Sequence, residues 1–75
     1  MINLERNEDA LRKIAAKFRL LRRKAELKQK DVAKETGLNI GNIEAARINL
    51  NLTSLEVLCR YYGLTLEKFF DDIDL

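Results

Sequence analysis

The stretch from Gln29 to Ala46, QKDVAKETGLNIGNIEAA, constrains this chain's fold more than any other. Its apolar residues keep a helical period over two short runs that break at Gly37. In the first run Val32 and Ala33 face inward, while Lys30, Asp31, Lys34 and Glu35 stay polar. Gly37 stands where a helix turns left-handed to end, which glycine does without a Cβ clash. Leu38 is expected as a buried plug and Asn39 as the N-cap of the second run. That run buries Ile40 and Ile43 and leaves Asn39, Gly41, Asn42 and Ala45 facing away.

A helix, a tight glycine turn and a short second helix with a small polar outer face make a helix-turn-helix. Three more helices are expected around it. Asp9, or Asn7 before it, caps helix 1 over residues 9–25, with an apolar stripe of Leu11, Ile14, Ala15, Phe18, Leu21 and Ala25. Leu27 points inward, and Lys28-Gln29 open helix 2 over 28–36. Helix 3 spans 39–46, and Arg47–Asn51 form a loop. Asn51 caps helix 4 over 51–62, whose buried stripe is Leu52, Leu55, Leu58, Cys59 and Tyr62. Gly63 closes that helix and Leu64 turns back into the core. Thr65 caps helix 5 over 65–72, which carries Leu66, Phe69, Phe70 and Ile73. Residues 1–8, with Leu4, are either an N-terminal arm or an extra packed segment. Of the neighbours Tyr61 and Tyr62, and of Phe69 and Phe70, only one each can face the core fully.

The expected fold is therefore all-α, a single small domain over residues 1–75. No apolar run approaches the ~18 residues a membrane span requires, and the acidic start MINLERNEDA lacks the order of a secretion signal. One cysteine builds no disulfide framework and fits a reducing cytoplasm. Cys59 reads as a buried, inert thiol. Without histidine, the usual metal sites and acyl-transfer constellations are missing, so neither an enzyme nor a metal or other cofactor is expected.

The net charge of +2 hides a lopsided distribution. Between Arg12 and Lys34 stand ten lysines and arginines against Glu26 and Asp31, a local balance of +8, while residues 35–75 carry −4. Such asymmetry implies one polyanion-facing side and a separate acidic side. Alternatively, a solvated helix 1 simply carries many lysines.

With five helices and the turn motif between the second and third, the chain resembles the Cro and phage-repressor-like helix-turn-helix family, the xenobiotic-response-element type with the lambda-repressor-like fold. The matching residues are FRLLRRKAELKQKDVAKETGL at 18–38, Ile43-Glu44, and NLTSLEVLCRYYGLTLEKFF at 51–70. The resemblance implies a homodimeric regulator that places helix 3 in the major groove of operator DNA. By the same resemblance Gln29 contacts a phosphate at the head of helix 2, and Lys28 is a second backbone contact. Arg22 would pair with Glu44 in a structural salt bridge between helices 1 and 3. Arg47 and Asn49 fall in the loop that runs along the phosphates, and Lys30, Arg19 and Arg23 are further cationic candidates. Leu66, Phe70 and Ile73 lie at the edge where dimers of this family form.

Two departures stand against that pattern. The segment between Gly37 and Ile43-Glu44 is three residues shorter, nearly one helical turn from the leading end of helix 3. Ala46 stands where the family has glycine, so this turn is expected to be reached differently. On the outer face, Asn42 can contact adenine and Asn39 a base or phosphate, while Gly41 and Ala45 permit close approach. No arginine on helix 3 can read guanine. The chain thus reads as a cytoplasmic, sequence-specific DNA-binding repressor. The alternatives are a protein-interaction module with weakened DNA binding and an antitoxin that binds both DNA and a protein toxin.

Overall fold

The computed structural model describes residues 7–74, and most of the expected 1–8 arm, Leu4 included, lies outside them. Five helices follow one another: α1 (Glu8–Lys24), α2 (Gln29–Thr36), α3 (Ile40–Glu44), α4 (Leu52–Tyr61) and α5 (Leu66–Phe70). No strand occurs among the described residues.

Helix starts follow local chemistry closely. Asn7 is the residue that caps α1, its side chain accepting from the Ala10 N–H at 3.0 Å. Asn39, Asn51 and Thr65 each accept from the amide three residues on, at 3.1, 2.8 and 3.1 Å. These bonds satisfy amides that a first helical turn leaves without partners. Helix α2 begins differently: the Asp31 carboxylate accepts from the Lys28 N–H at 3.2 Å, half of a capping box.

Helix ends depart from expectation at two points. Gly37 and Gly63 take left-handed backbone, both with φ near 74°. Glu26 and Ala46 do so as well, with φ of 58° and 56°, although both carry a Cβ. The turn at Ala46 is therefore not reached differently from a glycine turn. Ala46 N–H reaches the Ile43 carbonyl and Arg47 N–H the Asn42 carbonyl, the paired closure of a Schellman end. Glu26 and Leu27 repeat that closure onto Arg23 and Arg22. Left-handed backbone costs a non-glycine residue about 1–2 kcal/mol. Here that cost is outweighed by satisfied carbonyls and by Leu27, which packs against the core.

The core gathers Phe18 from α1, Val32 from α2, Ile40 and Ile43 from α3, Leu58 and Cys59 from α4, and Phe69 from α5. Phe18 and Phe69 stack with centroids 4.5 Å apart, joining the first helix to the last. Burying side chains of this size contributes roughly 1.5–3 kcal/mol each. Leu38 is half-buried at its edge rather than a sealed plug. Two stripe residues are corrected. Ala25 is exposed, because it is the C-cap where the chain turns away from the helical period. Leu52 keeps the period of Leu55 and Leu58, yet remains 68% exposed at the first position of α4, since helical period fixes a residue's face but not what covers it. Tyr61 and Tyr62 divide the core between them, both half-buried and edge to face at 5.1 Å. Phe69 is fully buried and Phe70 half-buried.

Candidate nucleic-acid interface

Helix α3 is a single turn and a half, too short to hold its own orientation by packing two isoleucines. What orients it is Glu44, a carboxylate only 2% exposed. Arg22 grips Glu44 from α1 with a two-pronged fork, Nε donating to Oε2 at 2.8 Å and Nη2 to Oε1 at 2.9 Å. A third arm of the same guanidinium donates to the Leu27 carbonyl and so fastens the α1–α2 turn. Gln29 approaches from α2, its Nε2 donating to Glu44 Oε1 at 3.0 Å. Arg19 Nη2 donates to the Glu44 backbone carbonyl at 2.7 Å, closing the C-terminal end of α3. Bidentate, charge-assisted bonds of this kind fix angle as well as distance. The hydrogen bond to Glu44 raises the Arg22 pKa further above its ordinary value.

Around this junction four of the eight expected DNA contacts share one groove, and the other four lie outside it. Gln29, Lys30, Asn39 and Gly41 line a shared open groove of about 580 Å³, between the head of α2 and the leading end of α3. Asn42 is half-buried beside them, its N–H on Asn39 Oδ1. Lys28 is exposed at the N-cap of α2. Arg47 and Asn49 are exposed in the loop beyond α3, and neither lines the groove. The expected interface residues Leu66, Phe70 and Ile73 are half-buried and packed against the core.

The basic stretch is partly consumed inside the molecule. Arg22 and Arg19 hold Glu44, Lys13 donates to the Asp74 carbonyl, and Lys17 binds both the Phe69 carbonyl and the Asp72 carboxylate. Arg19, expected only as a cationic candidate for phosphate, thus has a positioning role. Its spacing three residues before Arg22, on the same face of α1, is the signal that could have revealed it. The bond between Gln29 and Glu44 had no such signal, because no helical spacing links residues on different helices.

The sequence model of a family described as a helix-turn-helix domain matches residues 13–69, most of the chain. No curated protein matches the chain, and no solved structure does. No helix among the described residues is long and apolar enough to cross a membrane.

Proposed function

We propose that this chain, which belongs to the helix-turn-helix domain family, is a transcriptional regulator that binds double-stranded DNA, with two copies repressing from a two-fold operator. The observation that carries this reading is the groove between α2 and α3. It is open, lined by Gln29, Lys30 and Asn39 beside the apolar Ala33, Leu38 and Ile40, and its Gln29 is held by the buried Arg22–Glu44 pair. Phosphate contacts supply affinity in this reading, from Lys28, Lys30, Arg47, Asn49 and the second amide hydrogen of Gln29. Asn39, Gly41 and Asn42 present the surface that meets base edges. Leu66, Phe70 and Ile73 form the contact between copies through the apolar area they leave uncovered. No catalytic step and no cofactor are required.

Fluorescence anisotropy against a mixed-sequence duplex, at about 50 and 200 mM salt, tests the reading. Affinity is expected to fall with a log–log slope near −0.9 per phosphate contacted. Lys28→Ala with Lys30→Ala should weaken binding equally on every duplex, whereas Asn42→Ala should relax sequence preference. A wild-type chain that leaves the duplex unbound at the lower salt defeats the proposal and turns attention to a protein partner such as a toxin.

A further inference from the structure

Nothing inside the protein requires glycine at position 41. The residue lies in α3 and not in left-handed backbone, and a Cβ built on it meets only the Gln29 Oε1 at 3.6 Å and the Asn39 Oδ1 at 3.8 Å, both ordinary contacts. A glycine inside a helix is less stable than alanine. The space above Gly41 is therefore open to a group from outside the folded chain.

The chemistry of that space is set by two amides that cannot flip. A carboxylate only accepts hydrogen bonds, so Gln29 must turn its Nε2 toward Glu44, and its Oε1 then faces Gly41. Asn39 must turn its Oδ1 toward the Asn42 N–H to cap α3, and that same oxygen also lies near Gly41. Both are side-chain oxygens, each with a further lone pair, converging on a bare Cα at the floor of an open groove. A group seated there must be a small donor. A phosphate, or the O6 and N7 edge of guanine, meets two like partial charges.

Resting on the DNA-binding reading above, we propose that the Gly41 cradle receives the exocyclic amino group of one base in the major groove, the N6 of adenine or the N4 of cytosine. These are the amino donors the major groove displays. Gly41 supplies closeness, while Gln29 and Asn39 supply the acceptors. Gln29 thereby joins backbone contact, base contact and the buried Glu44 in one side chain. Specificity in this helix arises from fixed acceptors, in place of the arginine it lacks.

The test begins with duplexes selected by the wild-type chain from a randomised pool. On the best of these, each adenine is replaced in turn by purine, which lacks N6, and each cytosine by pyrimidin-2-one, which lacks N4. One replacement per half-site is expected to cost the wild type about tenfold in affinity, and whether it is a purine or a pyrimidinone identifies the base. Gly41→Ala fills the cradle; it should melt at or above the wild-type temperature, bind the parent duplex about tenfold more weakly, and ignore that same replacement. If Gly41→Ala keeps wild-type affinity, or if every amino deletion affects both proteins alike, the cradle is overturned while DNA binding stands. A wild type that enriches no duplex overturns both.

Discussion

Toward its C-terminal end α1 holds α3 through Arg22 and Arg19, and nearer its start the same helix holds the C-terminal tail through Lys17 and Lys13. Both are cationic grips on distant parts of the chain, but their surroundings differ. Glu44 is almost wholly buried and accepts a planar fork plus an amide, whereas the Asp72 side chain is 79% exposed and meets a single ammonium group. A buried pair fixes geometry and leaves an uncompensated charge when broken. An exposed pair is screened by water and salt and contributes little. The difference teaches that charge count along α1 says little about force. Position relative to the core decides which cation organises the fold, and the organised element is the one that faces the proposed ligand.

The largest way to break this contrast is at the buried end. Arg22→Ala or Glu44→Ala is expected to lower stability by about 3–5 kcal/mol in urea denaturation, because each strands its partner. The double substitution should cost less than the sum of the two, and additivity would show that the pair does not act as a unit. Ala46→Gly, which relaxes the left-handed residue closing α3, should raise stability by about 1 kcal/mol, after the flexibility glycine adds to the unfolded chain. A loss of stability there would mean that the Ala46 side chain contributes more by its contacts than its backbone costs.

A third effect reads the buried junction through pH. Burial pushes the Tyr62 hydroxyl up to about 12, with the nearby Glu44 charge adding to it. The native chain therefore keeps a proton that the unfolded chain releases near pH 10, so stability should fall as pH rises from about 10 to 12. Tyr62→Phe should flatten that decline, and an unchanged alkaline slope would remove Tyr62 as its source. The smallest effect belongs to the tail. The Lys17 hydrogen bond holds the Asp72 carboxyl below its ordinary value, so any stability it adds exists above that value and is lost as pH falls through the lowered one. Asp72→Asn should leave the neutral-pH denaturation midpoint unchanged, and a clear shift would erase the distinction between the two grips.

Much of this architecture was legible along the chain. Caps at Asn39, Asn51 and Thr65 and the glycine ends at Gly37 and Gly63 depend on neighbours a few residues away, so local chemistry is enough to place them. Leu52 and Ala25 were misread for a related reason. Helical period tells which face a residue lies on, but not whether anything stands opposite that face. The left-handed backbone at Glu26 and Ala46 was hidden because neither residue type favours it, and only the turns they close demand it.

The candidate interface divides in the same way. Of its members, Asn39, Gly41 and Asn42 follow from a turn motif whose order is set by helix period and a glycine break, while Gln29 and Lys30 were implied by the family resemblance. Its chemistry does not follow from the residue names. An amide side chain offers a donor and an acceptor, and no sequence says which of them faces outward. That choice waits on Glu44, brought beside Gln29 by the packing of α3 against α2, and on the buried carboxylate's need for donors. The turn motif that borders the groove was thus determined by the sequence. The direction in which Gln29 points its oxygen was decided by the tertiary structure, because hydrogen-bond polarity is settled only when partners on different helices meet.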